Sequence, residues 1–231
     1  MCEDVVVKVV RVVVSRYEVK DRWAGRDPLE LLIGAILSQR TNWRNTRRAL
    51  EDLKRRFPSL TAIADASLRE IKEVIRPAGL HGAKASTIRE AARLAKTGEL
   101  DRILALPYKE ARARLMSIRG IGPKTADVFL LFARREPVLP VDTHIFRIMR
   151  RLGVAEENEG YESLRAKLER AVPPGERLHA HVALIRFGRE VCRPLRPLCK
   201  VCPFTGLCRY YAQRSGEGAT NQASGPETQS M

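Results

Sequence analysis

No stretch of this sequence approaches the roughly 18 consecutive apolar residues of a membrane span. The most apolar run near the start, Val5 to Val14, is interrupted by Lys8 and Arg11. Nothing resembles a cleavable export signal either, so no membrane association is expected and the chain is placed in the cytoplasm, at the nucleoid if prokaryotic. Acidic residues are outnumbered: 27 Asp and Glu stand against 42 Lys and Arg, a formal net charge of +15. A surplus of that size reads either as a charged, solvated surface or as a surface for a polyanion, with nucleic acid the leading candidate. Solenoid-type repeats are lacking, and so is any convincing hairpin or sheet pattern. There are only five cysteines. In a compartment that keeps thiols reduced they do not suggest a disulfide framework.

What is present is an ordinary globular composition, 44% hydrophobic and 30% charged over 231 residues, with helical patterning almost throughout. Asp27 and Pro28 form a cap and first turn before the apolar run Leu29 to Leu37. Thr41 or Asn42 caps a second helix carrying Trp43, Leu50, Leu53 and Phe57. Ser67 with Glu70 is a capping box, and Gly79 is placed to close that helix in a left-handed conformation. Further helices are expected at about 84–96, 107–117, 123–134, 142–152, 160–171 and 176–190. Val5 to Val14 is rich in β-branched residues and reads as a strand on propensity alone. A lone strand has no partner in an all-helical chain, so the segment is read as a helix. From about Ala212 the sequence turns to Gly, Ser, Gln, Asn, Thr and Glu, the composition of a disordered tail.

Four of the cysteines, Cys192, Cys199, Cys202 and Cys208, fall within seventeen residues. Thiolates gathered in so short a stretch converge on one metal centre, and the spacing alone leaves a tetrahedral zinc and an iron-sulfur cluster both open. The second notable stretch is Ser117-Ile-Arg-Gly-Ile-Gly-Pro-Lys-Thr-Ala-Asp127, between two expected helices. Gly120 and Gly122 bracket a tight turn whose amides, with the positive end of the next helix, suit a phosphate. The plain alternative is a glycine-terminated helix joined to a proline-started one. Lys124 lies on the first helical turn, where that positive end disfavours an ammonium and favours a neutral, nucleophilic amine. Asp142 follows eighteen residues later in Val141-Asp-Thr-His144, at the start of another helix. It is read as a cap, or as an acid-base partner for an amine nucleophile.

Gly120-Ile-Gly-Pro-Lys-Thr-Ala126, then Val141-Asp-Thr-His144, then the four-cysteine spacing resemble the endonuclease III branch of the helix-hairpin-helix DNA glycosylases, over roughly residues 25–211. The resemblance implies a 4Fe-4S cluster on the four cysteines. It implies that Lys124 forms a Schiff base with the sugar and that Asp142 assists by deprotonation and charge stabilisation. It makes Gln39 a polar wedge and Leu80 an apolar wedge that fill the space a flipped nucleotide vacates; ordinary packing is the alternative for Leu80. Thr125, with Gly120 and Gly122, belongs to the DNA-gripping hairpin, and Arg193, Arg196 and Lys200 read as phosphate contacts. Two departures stand out: Arg119 where the family often has proline, and His81 beside the wedge where tyrosine is associated with the best-known members.

The sequence therefore leads to an all-α fold of two helical lobes with a DNA-binding cleft between them. The expected organisation is an N-terminal segment 1–24 packing with the cluster lobe, a helical domain 25–132 with the hairpin, a cluster lobe 133–211 and a disordered tail 212–231. The expected function is a monomeric, bifunctional glycosylase and apurinic/apyrimidinic lyase acting on oxidised pyrimidines in duplex DNA. A thymine or uracil mismatch glycosylase and a non-catalytic DNA-binding protein are the alternatives.

Overall fold

The computed structural model describes residues 2–20 and 23–220. Those residues form twelve α-helices and no strand: α1 (Cys2–Arg16), α2 (Pro28–Leu37), α3 (Trp43–Arg56), α4 (Leu68–Val74), α5 (His81–Lys96), α6 (Glu99–Ala105), α7 (Tyr108–Met116), α8 (Pro123–Arg134), α9 (Thr143–Leu152), α10 (Tyr161–Ala171), α11 (Arg177–Glu190) and α12 (Arg209–Thr220). They fall into two compact units, Lys20–Pro140 and Met1–Val19 with Val141–Met231. None of the described helices is long and apolar enough to cross a membrane.

In the unit Lys20–Pro140, α2 is the central helix and packs on α3, α5 and α8. Its start is fixed by Asp27, whose carboxylate accepts from the amides of Leu29 and Glu30, and by Pro28 in the first turn. Six of its ten residues are buried. Asn42, of the two expected candidates, caps α3. Trp43 is 49% exposed, so the buried face of α3 is Ala49 and Leu53, with Phe57 just beyond its end. The Ser67–Glu70 capping box is present.

Gly79 departs from the expectation. Its φ is 64° but its ψ is 169°, and the left-handed residue is Leu80, at φ 46° and ψ 30°. The cause lies in Pro77: α4 gives way to a short 3-10 turn, Arg76–Ala78, and the chain reverses after that turn. The short helix α6, not foreseen, starts after Gly98 and buries Leu100 and Ile103. Its seven residues carry too little periodicity to be read in advance. Helices α7 and α8 are joined by the fully buried Asp127, which accepts from Tyr108 and from Arg112.

In the other unit, α1 packs on α10 and α11. Val6, Val9, Val10, Val13 and Tyr17 are buried at helical spacing. Burying a valine contributes roughly 1.5 kcal/mol, whereas its helix-propensity deficit is at most about 0.7 kcal/mol, so packing decides in favour of the helix. Helix α9 packs on α11 and α12. The expected disordered tail is helical in its first part, since α12 continues to Thr220, and the rest, 221–231, lies outside the described residues. Arg151 lies 4.4 Å over the ring of Tyr210, and Arg214 donates to the Tyr210 hydroxyl one turn on. Composition argues only against a core of its own; anchoring at the root lets the helix run on.

Candidate functional site

The hairpin between α7 and α8 is built around one residue that has to be glycine. Gly120 has φ 96°, and a Cβ placed there would lie 2.3 Å from the Thr87 hydroxyl oxygen. That hydroxyl is held by the loop, donating to the Arg119 carbonyl at 2.9 Å. Buried Ile121 pins the turn from inside, its amide donating to the Ile118 carbonyl. Gly122 differs from the expectation of two conformationally required glycines: its φ of −94° is open to any residue. A Cβ there would meet nothing within 4 Å, so this glycine keeps the start of α8 bare rather than bending the chain. Pro123 follows as the first residue of α8 and Lys124 as its second, partly exposed, while Thr125 is buried.

Gln39 is tied to this hairpin. Its side-chain amide donates to the Gly120 carbonyl at 2.9 Å and to the Thr125 hydroxyl at 3.1 Å. The neighbouring Arg40 is exposed and has φ 49°. Leu80 is 51% exposed at the start of α5, so ordinary core packing does not account for it. His81, beside it, is exposed. A residue that sequence reasoning passed over lies between these two corners. Lys84 is 2% exposed, and its ammonium donates to the carbonyls of Leu37 and Ala78, both at 2.8 Å. Burial pushes this lysine down from its ordinary value of 10.5 to about 8. The only advance sign was position: Lys84 falls on the apolar stripe Lys84, Ala85, Ile88, Ala91, Ala92 of α5.

Asp142 caps α9. Its Oδ1 accepts from the amides of His144 and Ile145, both at 2.9 Å. The cap reading therefore holds, and it leaves the second carboxylate oxygen for other chemistry. Burial lowers the His144 ring below the usual histidine value, against the opposing pull of Asp142. One turn on, Arg147 donates to the carbonyls of Gly188 and Cys192, and a further turn on, Arg151 donates to the carbonyls of Arg193 and Pro194 and lies 3.3 Å from the Cys192 sulfur. These two arginines, four apart on one face of α9, fasten the cysteine loop, and the sequence reading did not pick them out. Arg193, Arg196 and Lys200 project from that loop, exposed.

The four cysteines are partly exposed and reduced. They are near neighbours: the Cys202 and Cys208 thiols are pushed up first by burial and further by the other cysteines. Yet among the described residues no three His, Cys, Asp or Glu side chains close in tightly enough for a single ion. A tetrahedral zinc and a cube of iron and sulfide both take four thiolates, and that donor set, four soft sulfurs at a basic loop, fits an iron-sulfur group.

An all-helical fold with a glycine hairpin, a lysine at the following helix start and an aspartate-capped helix is the arrangement that the resemblance to helix-hairpin-helix DNA glycosylases implies. Residues 33–174 match the HhH-GPD superfamily of base excision DNA repair proteins, and the chain belongs to that superfamily, in its endonuclease III branch. It is 31% identical to endonuclease III of Thermotoga maritima over 196 residues, covering 83% of this chain and 87% of the relative. With endonuclease III of Sulfolobus acidocaldarius the identity is 31% over 188 residues, 80% of this chain and 83% of the relative. Among solved structures, a non-covalent endonuclease III–DNA complex superposes with a TM-score of 0.80 at 26% identity, covering 93% of this chain and 98% of that one.

Proposed function

We propose that this chain is a bifunctional DNA glycosylase and apurinic/apyrimidinic lyase that removes oxidised pyrimidines from duplex DNA. The observation that carries the reading is the hairpin itself: a bare, glycine-opened turn leads into α8 with Lys124 on its first turn, and a helix start of that kind suits a phosphate. The kinship with endonuclease III supports DNA as the substrate.

In this mechanism the Lys124 amine attacks C1′ of the damaged nucleotide with its lone pair. The glycosidic bond breaks, and the base leaves with the electron pair of that bond and takes up a proton. The sugar ring then opens to a Schiff base on Lys124. Loss of a proton from C2′ drives out the 3′ phosphate, and the strand is nicked. Asp142, by the resemblance, assists by deprotonation and by stabilising the positive charge that develops on the sugar. Gln39 and Leu80 fill the vacated stack, and Thr125 fixes the hairpin through Gln39. Arg193, Arg196 and Lys200 contact backbone phosphates, each adding to the salt dependence of binding.

Cys192, Cys199, Cys202 and Cys208 would hold a 4Fe-4S cluster whose contribution is structural, shaping the basic loop. Arg147 and Arg151 fasten the loop through the contacts already described. The test is borohydride trapping on duplexes carrying dihydrouracil, thymine glycol, a uracil mismatch or an abasic site. Wild-type protein is expected to be trapped on the first two and on the abasic site, and Lys124→Gln on none. Trapping of Lys124→Gln at the wild-type level would remove the nucleophile from this scheme, and preference for the mismatch would move the substrate class.

A further inference from the structure

Lys84 is a buried cation that the chemistry above does not use. A charge taken out of water is costly unless it is fully engaged, and a structure that keeps one has a use for its bonds. Its two acceptors are not arbitrary. The Leu37 carbonyl ends α2, three residues before exposed Arg40, and the Ala78 carbonyl ends the 3-10 turn, two residues before exposed Leu80. Arg40 and Leu80 are the two residues at which these corners turn outward, with φ of 49° and 46°, a conformation side-chain-bearing residues seldom hold without outside support. Gln39, one residue earlier, is held to the hairpin at Gly120 and Thr125. One ammonium thus joins two corners that are 47 residues and 6 residues from it in sequence, and one of those corners is also joined to the loop bearing Lys124.

We propose that Lys84 is a positioning residue that sets the separation of the Gln39–Arg40 and Leu80 corners, so that both enter the duplex together when a nucleotide is turned out. The inference rests on the glycosylase reading. It assigns to Lys84 the opening of a paired lesion and not the chemistry at C1′. A misplacement of about 1 Å at such a site can cost on the order of a hundredfold in rate.

The experiment compares excision of dihydrouracil paired in a duplex with trapping at an abasic site, where no base has to be extruded. Single-turnover rates are measured for wild type, Lys84→Met, Lys84→Arg, Leu80→Ala and the Lys84→Met/Leu80→Ala double variant. In Lys84→Met the ratio of paired-lesion excision to abasic trapping is expected to fall ten- to hundredfold, in the rate at saturating enzyme with little change in the enzyme concentration that gives half of it. Lys84→Arg is expected to recover part of it, and the double variant to be no worse than the poorer single one, since both act on one step. A 2-aminopurine next to the lesion should lose its fluorescence rise in parallel. Equal losses on the two substrates, or losses that multiply in the double variant, overturn the proposal. If Lys84→Met does not fold, Lys84→Gln carries the test. Failure of both to fold also overturns it, because Lys84 would then hold the core and not its corners. Absence of abasic trapping in the wild type sinks the lyase reading beneath it, a different result from either.

Discussion

Replacing Gly120 by alanine probes the hairpin at its tightest point. Two costs add. Alanine at φ 96° sits outside the regions open to side-chain-bearing residues, a penalty of about 1–2 kcal/mol. Its Cβ would stand 2.3 Å from the Thr87 hydroxyl oxygen and 3.4 Å from the Thr87 Cβ and Cγ2, an overlap that neighbours relieve only by moving, at about 1–3 kcal/mol. The sum, roughly 2–5 kcal/mol, corresponds at about 2–4 °C per kcal/mol to a fall in Tm of some 4–20 °C. Thermal unfolding followed by circular dichroism measures it directly. The steric part is separable. Thr87→Ala loses the bond to the Arg119 carbonyl, roughly 1 kcal/mol, and at the same time vacates the space the new methyl needs. The double variant should therefore be more stable than the summed single costs predict, by about 1–3 kcal/mol, leaving the backbone term and the lost Thr87 bond. Additive costs would refute the steric argument. A Gly120→Ala protein within about 0.5 kcal/mol of wild type would refute the conformational one too.

Gly122→Ala should be nearly neutral for stability, within about 0.5 kcal/mol, since nothing lies within 4 Å of the added methyl, yet it should weaken DNA binding measured by fluorescence anisotropy; unchanged affinity would mean no phosphate comes near. Asp127→Asn leaves the Arg112 guanidinium without its buried counter-charge and should cost about 3 kcal/mol in urea unfolding, whereas a cost below 1 kcal/mol would show the pair to be dispensable. Lys84 binds its proton less tightly folded than unfolded, so between about pH 8 and 10.5 the unfolded chain holds a proton the folded one lacks, and stability should rise with pH across that window by about 3 kcal/mol. Below pH 8 the penalty is fully present, and Lys84→Met should lack the rise; identical pH profiles would contradict the assignment. Protein purified without oxygen should absorb near ~400 nm and Cys202→Ala should not, while a colourless wild type carrying one zinc per chain would overturn the cluster.

What could be read from the sequence was what is local. Asp27 with Pro28, Thr41 or Asn42, and Ser67 with Glu70 each mark a helix start within a few residues of themselves, and the helices start there, with Asn42 the cap of α3. The valine-rich α1 was recoverable only because an all-helical context left a strand without a partner; its propensity pointed the other way. Gly79 was misread since the decision belonged to Pro77 two residues earlier, which shortened the helix and passed the left-handed turn on to Leu80. The root of α12 depends on Arg151 reaching Tyr210 from 59 residues away, and no window along the chain contains both.

The same distinction separates the site residues. Lys124, Asp142 and the four cysteines stand out by type and spacing, because the proposed nucleophile, the cap and the proposed metal ligands are each marked by a short stretch. What holds them does not. Gln39 reaches the hairpin across 81 residues, Thr87 across 32, and Arg147 and Arg151 reach the cysteine loop across more than 40. These supports share one chemical form: a side-chain donor that ends on a backbone carbonyl. Such a bond fixes a loop whatever side chains the loop carries, so positions other than Gly120, where the backbone itself demands glycine, can change their residues and keep their places. Arg119 and His81, the two departures from the family pattern, sit on just such held backbone. Arg119 supplies the very carbonyl that Thr87 grips, and His81 opens the helix from which Lys84 reaches back. Their side chains are therefore free to depart from the family pattern, while the carbonyl bonds beneath them hold the backbone in place.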